Sequence, residues 1–179
     1  MPKGIMIFGL NGCGKSTLAR ALSSELGYKY MDIEDYVFIE TEIPYTKQRS
    51  REDYIRLMTN EIKRHKTFVM SAVRGNFGDH ITSYYKLGVF IDVPYDIRIQ
   101  RVEQRMKDKF GDRVEVGGDM YETEMKFLEF VKARTMDKLN MWSDTLSCQQ
   151  IRVDGTLSIK ENVAYIKDVY NKLMEVIDD

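Results

Sequence analysis

Five short apolar runs punctuate the chain, and between them apolar residues recur every three or four positions, the periods that strands and helices impose. Gly4-Ile5-Met6-Ile7-Phe8 reads as a first buried strand, and Leu18, Leu22 and Leu26 as the face of a helix that follows it. Gly27 is placed to end that helix in a left-handed conformation, ahead of Tyr28-Lys29-Tyr30-Met31 as a second strand. Periodicity is weak over 36–43, and Pro44-Tyr45 marks a break. Ser50 then caps a helix carrying Glu52 and Asp53 in its first turn and Tyr54, Met58 and Ile62 on its face. Thr67-Phe68-Val69-Met70 is a third strand, followed by a glycine-punctuated loop over 71–78. Residues 87–93 form a fourth strand, stopped by Pro94, after which Ile99, Val102 and Met106 trace a helix. A polar, glycine-bearing stretch precedes one long helix from Tyr121 that bears Phe127, Leu128, Val131, Leu139 and Trp142. Gln150-Ile151-Arg152-Val153-Asp154 is the fifth strand. Ser158 and Glu161 form a capping box for a last helix buried through Ile159, Val163, Ile166, Leu173 and Val176 or Ile177. Strands alternating with helices in this way predict an α/β fold, a parallel sheet with right-handed crossovers covered on both faces.

Composition narrows the class. At 179 residues and 43% hydrophobic content the chain reads as a single domain, 1–179, around one sizeable core. Its 27 basic and 28 acidic residues leave no global field for nucleic acid or a membrane surface, so small molecules are the expected partners. No apolar run approaches membrane-spanning length, and no signal peptide is expected ahead of the first strand. The two cysteines, Cys13 and Cys148, are far apart in sequence, which predicts a reduced, cytoplasmic setting. Two histidines are too few for a zinc site of the usual kind.

The chemistry is concentrated in Gly9-Leu10-Asn11-Gly12-Cys13-Gly14-Lys15-Ser16-Thr17, which fits G-x-x-x-x-G-K-[ST] at a strand-to-helix turn. Glycines there let backbone N–H groups converge on an anion, and the following helix presents its positive end. The expected nucleotide contacts are Gly9, Asn11, Gly12, Cys13, Gly14, Lys15, Ser16 and Thr17, with Lys15 reaching the β- and γ-phosphates and Ser16 ligating Mg²⁺.

This pattern resembles the P-loop NTPases and, at this length, the small P-loop kinases that include adenylate kinase and shikimate kinase. The resemblance implies a three-layer fold with sheet order 2-3-1-4-5, a short lid over 107–120, and ATP and Mg²⁺ as cofactors. It also implies phosphoryl transfer to a small anionic or hydroxylated acceptor, a nucleotide or a hydroxy acid. Ile91-Asp92-Val93-Pro94 followed by Arg101 and Arg105 is similar to the adenylate kinase pattern, in which the first arginine packs on adenine and the second reaches phosphate. Val153-Asp154-Gly155-Thr156 is similar to the turn near adenine in these kinases, so Gly155 and Thr156 join the nucleotide site. Lys15, Arg105, Arg113 in the lid and Arg134 after it form the implied catalytic set.

The acceptor half departs from the pattern. Asp32-Ile33-Glu34 occupies the place of the D-x-D pair of shikimate kinases, which assigns Asp32 to the magnesium shell and Glu34 to an acceptor hydroxyl. On an extended segment the two side chains would point the same way. The third strand ends without an acid, and Ser71-Ala72-Val73-Arg74 stands where nucleoside monophosphate kinases carry Asp-Gly-x-Pro-Arg. Asp32, Glu34, Arg49, Arg51 and Arg74 are the expected acceptor-binding residues, built around the 36–66 segment. A nucleotide-dependent switch with slow ATPase activity is the rival reading; converging lid arginines would argue against it. A monomer or homodimer is expected.

Overall fold

In the computed structural model, residues 1–42 and 45–178 are described. Of the break expected at Pro44-Tyr45, Pro44 lies outside them, as does the side chain of Ile177. Strands β1 (Lys3–Phe8), β2 (Lys29–Asp32), β3 (Thr67–Ala72), β4 (Tyr85–Asp92) and β5 (Gln149–Asp154) form one sheet in the order β2-β3-β1-β4-β5. Every neighbouring pair is parallel, so the expected fold class and strand order hold. The carboxyl ends of all five strands meet at one edge, the edge where ligands bind in open parallel sheets.

Alternation along the strands sends side chains to two cores. Ile5, Ile7, Val69, Val89 and Ile91 pack under α1 (Lys15–Leu26) and α8 (Ile159–Asp178). Met6, Phe8, Met31 and Met70 face the other way, against α3 (Arg51–His65) and Trp142. Ile5, Met6 and Ile7 are fully buried, and each such side chain stabilises the fold by about 1.5–3 kcal/mol. A third cluster joins Ile99, Val102 and Met106 of α5 (Tyr95–Phe110) to Leu128 and Val131 of α6 (Tyr121–Lys132).

The local signals at Gly27, Ser50 and Ser158 act as read. Gly27 caps α1 at φ 67°. Ser50 Oγ accepts from Asp53 N–H at 3.1 Å, and Ser158 and Glu161 cap each other reciprocally. Elsewhere the structure differs. Asp32 caps a short helix, α2 (Ile33–Val37), by accepting from the Glu34 amide at 3.1 Å, so Asp32 and Glu34 do not lie on an extended segment. β3 continues through Ser71 and Ala72, which read as loop in the sequence. A short helix α4 (Asp79–Thr82) follows. The single helix expected from Tyr121 is broken into α6 and α7 (Asp137–Ser143), and at the break Thr135 Oγ1 donates to Asp137 Oδ2 at 2.8 Å. On α8, Asn162, Ile166 and Tyr170 form the buried line, whereas Ile159 and Val176 are 37% and 77% exposed.

Candidate nucleotide and acceptor site

The phosphate loop links β1 to α1 and owes its shape to three glycines with positive φ. Gly9, Gly12 and Gly14 have φ of 151°, 83° and 95°. A Cβ at Gly9 would meet Cys13 Sγ at 2.8 Å and Ile91 O at 2.9 Å, and one at Gly12 would meet the Arg98 carbonyl. At Gly14 the Cβ direction is open, with no atom within 4 Å. Lys15 Nζ donates to Leu10 O at 3.1 Å and so lies across the loop. Cys13 is 1% exposed and packs into the core, so it offers a ligand only its backbone. A small cavity is lined by Gly12, Gly14, Lys15, Ser16, Arg101 and Arg105.

Helix α5 supplies three arginines to this loop. Arg98, which lay outside the expected site, is 6% exposed and donates to Asn11 O at 3.2 Å. It braces the loop from behind. Arg101 donates through both Nη atoms to Gly155 O at 3.1 Å, which ties α5 to the turn after β5. A side chain at Gly155 would strike Val93, Ile91 and the Cys13 carbonyl, so that turn packs directly on the loop. Thr156 is engaged locally, its N–H and Oγ1 donating to Asp154 Oδ1 at 2.8 and 2.6 Å. Arg105, four residues on, borders two cavities. One is the loop cavity just described. The other, of about 360 Å³, is walled by Glu34, Phe38, Tyr45, Arg105, Glu124 and Phe127 among others.

Glu34, exposed on α2, enters that second cavity, where the Tyr45 hydroxyl feels its carboxylate; burial first and then Glu34 raise the Tyr45 pKa. Burial also holds the Glu124 carboxyl above the usual glutamate range, against the pull of Lys109 and Arg105. Asp32 sits closer to the sheet, with its Oδ2 accepting from the Tyr30 hydroxyl at 2.8 Å. Ser16, Asp32 and the phosphates of a nucleotide would offer the all-oxygen donor set that suits Mg²⁺. The buried Ser71 Oγ, on the β3 residue paired with Asp32, has no hydrogen-bond partner among the described residues.

The arginines expected at the acceptor separate into two groups. Arg49 Nη1 donates to the carbonyls of Phe38, Tyr36 and Asp35 at 2.7, 2.9 and 3.3 Å, closing the end of α2. Arg51 Nη2 donates to Asn76 O at 2.9 Å. The guanidinium hydrogen bonds of both go to the chain's own carbonyls, so the structure gives them a bracing place and lines neither cavity beside the phosphate loop with them. Arg74 is different. It lines a cavity of about 280 Å³ with Leu10, Arg134 and Lys138, at the rim of the phosphate loop. Arg134 Nη1 donates to Asn11 Oδ1 at 2.8 Å, and burial together with Arg74 lowers its pKa. Arg74 has no carboxylate in salt-bridge contact among the described residues. The break between α6 and α7 is what turns Arg134 toward the loop. Arg113, by contrast, is held in a two-bond ion pair with Asp119, Nε–Oδ1 2.9 Å and Nη2–Oδ2 2.7 Å, and does not line the loop cavity.

Among the described residues no helix is long and apolar enough to cross a membrane. Residues 5–119 match the family described as AAA domain. The chain is 30% identical over 176 residues to the uncharacterized protein YqaC of Bacillus subtilis (strain 168), covering 94% of this chain and 97% of that protein. Its fold is similar to a gluconokinase from Sinorhizobium meliloti 1021, with a TM-score of 0.52 at 13% identity over 96% of this chain and 97% of the other. It is likewise similar to an uncharacterized protein from Eubacterium ventriosum ATCC 27560, with a TM-score of 0.54 at 13% identity over 96% and 99% of the two chains. With the glycine loop at its strand-to-helix turn and the sheet order β2-β3-β1-β4-β5, the chain belongs to the AAA-domain family of P-loop NTPases and has a small-kinase-like fold.

Proposed function

We propose that this protein is an ATP-dependent phosphotransferase acting on a small hydroxylated or anionic acceptor. The observation that carries the reading is the position of Arg105, whose side chain borders both the phosphate-loop cavity and the larger cavity that holds Glu34. A phosphoryl group leaving the first cavity for an acceptor in the second passes that guanidinium. Lys15 and Arg134 approach the loop from other sides, and such spread positive charge is most of what phosphoryl transfer needs. Magnesium bound with the nucleotide would neutralise phosphate charge, with Ser16 and Asp32 holding it. Arg101 and the Gly155-Thr156 turn line the route to the base.

Glu34 is the residue placed to accept the acceptor's hydroxyl proton or to orient it. The cavity around it offers the faces of Phe38, Tyr45 and Phe127 beside two carboxylates, which favours a ring-bearing acceptor such as a nucleoside or nucleotide over a short hydroxy acid. Arg74 would receive an anionic group of the acceptor. The segment 107–120 serves as lid, with Arg113 reaching the phosphates only once its pair with Asp119 opens. The protein acts as one domain, monomeric or homodimeric, without nucleic-acid or membrane partners. Its two free thiols suit a reducing cytoplasm.

The test is a coupled assay of ADP release over nucleosides, nucleoside monophosphates and hydroxy acids including gluconate, read against the rate with ATP alone. Acceptor-dependent turnover is expected. ADP release that ignores every acceptor would replace this reading with that of a slow nucleotide switch.

A further inference from the structure

Strand β3 ends beside the phosphate-loop strand with a serine where an acid is absent, and that serine is unusual. Ser71 is 1% exposed, and its Oγ has no hydrogen-bond partner among the described residues. A buried hydroxyl left unpaired costs about 1–3 kcal/mol, and alanine at this position would avoid it. Register places Ser71 opposite Ile7 of β1 on one side and Asp32 of β2 on the other. Alternation then fixes its face. Val69 and Tyr30 pack with the cluster under α1, while Met70 and Met31 pack on the opposite side, so Tyr30, Asp32 and Ser71 all project toward the helix that begins at the phosphate loop.

Asp32 is gripped at both oxygens. Tyr30 Oη donates to Oδ2 at 2.8 Å and the Glu34 amide to Oδ1 at 3.1 Å. Each carboxylate oxygen keeps a free lone pair in a fixed direction. The Arg20 guanidinium sits 5.3 Å from the centre of the Tyr30 ring. Tyr30, Asp32 and Ser71, from β2 and β3, therefore share one face of the sheet at its carboxyl end, the face on which α1 begins at Lys15 and Ser16.

We propose that Asp32, Ser71 and Tyr30 form a single outer shell for the magnesium ion ligated by Ser16. Ser71 accepts from metal-bound water at the strand end that lacks an acid, and Tyr30 is a positioning residue that aims the Asp32 carboxylate. Mg²⁺ retains several of its waters when it binds to protein, and those waters need acceptors. Asp32 supplies the negative charge from the neighbouring strand. This proposal rests on the reading that a magnesium nucleotide occupies the loop.

Calorimetric titration of ADP with Mg²⁺ and with EDTA tests it, on wild type, Ser71→Ala and Tyr30→Phe, together with thermal melting without nucleotide. Wild type should bind ADP more tightly with Mg²⁺ than in EDTA. Both variants should lose roughly tenfold of the Mg²⁺-dependent gain, the usual effect of removing a partner that orients a metal site, and keep their affinity in EDTA. Ser71→Ala should melt at the wild-type temperature or above it. A full Mg²⁺-dependent gain in both variants would overturn the proposal, as would an equal loss of affinity in the two buffers, which marks a merely structural role. Wild type that binds no ADP in either buffer would remove the underlying reading and the shell with it.

Discussion

Arg134 Nη1 donates to Asn11 Oδ1 across 2.8 Å, joining the break between α6 and α7 to the middle of the phosphate loop. Asn11 is held a second time through its carbonyl, which accepts from Arg98 at 3.2 Å. The loop thus has one guanidinium behind it and another at its rim. Arg134→Ala should lower kcat on the order of 10²-fold, the scale for removing one preorganised donor, while Asn11→Ala should cost less because it frees Arg134 without deleting its charge. Steady-state kinetics of the two single variants and the double variant check this. Additive losses would show that the contact does not orient Arg134.

Arg74 shares the cavity over Leu10 with Arg134, and its charge helps keep the Arg134 pKa below its usual range. With Lys138 lining the same cavity, three unneutralised cations in a half-enclosed site favour an anion among them. Arg74→Ala should raise KM for the acceptor with a smaller change in kcat, the opposite split from Arg134→Ala. The same kinetics, run at varied acceptor concentration, distinguish the two roles, and an unchanged KM would remove Arg74 from the acceptor site.

Lys15→Ala should abolish most turnover, on the order of 10²-fold or more in kcat, without disturbing the fold. Its Nζ bonds within the phosphate loop, to Leu10 O and the Cys13 sulfur, and to no other element, so circular dichroism and melting temperature should match wild type. Near-normal phosphoryl transfer by this variant would mean that the loop is not the catalytic phosphate site.

The parts of this arrangement legible in the sequence are those whose causes are local. The loop glycines, the Gly27 and Ser50 caps and the alternating strands each depend on a few adjacent residues, and all appear where expected. The extended segment expected from Asp32 to Glu34 is absent because the residue that begins the ligand motif also makes a good helix cap. Arg49 and Arg51 look like anion ligands in sequence; only the folded chain shows that one nitrogen of each bonds to backbone carbonyls. Arg98 was hidden for the converse reason. Its value depends on how closely α5 approaches Gly12, which no spacing within α5 encodes, although a lone arginine on the apolar line of Ile99 and Val102 was a usable hint.

Gly155 is fixed by space rather than by an unusual φ. A methyl group there would collide with Val93 and Ile91 and lie 3.0 Å from Cys13 O, so the strain would be passed to the phosphate loop. Gly155→Ala should destabilise the fold by about 1–3 kcal/mol, as overpacking does, and weaken ATP binding as the turn moves outward. Chemical denaturation and nucleotide titration measure the two effects. A variant with wild-type stability and affinity would show that the turn yields without involving the loop.

The cavity shared by Glu34 and Glu124 carries a pH signature. Burial raises the Glu124 pKa although Lys109 and Arg105 lower it, so desolvation is the stronger influence. A carboxyl whose folded pKa is raised contributes stability that is fully present below its unfolded value of about 4.3 and is lost as pH rises through the folded value. Glu124→Gln removes that titration while keeping the shape. Relative to wild type the variant should therefore gain stability between pH 4 and pH 7, modestly because the group is only partly buried. Denaturant midpoints at pH 4, 5.5 and 7 give the comparison. A difference that stays flat across this range would mean that the Glu124 carboxyl is as well solvated in the fold as in the unfolded chain. The cavity would then be too wet to bury a ring-bearing acceptor.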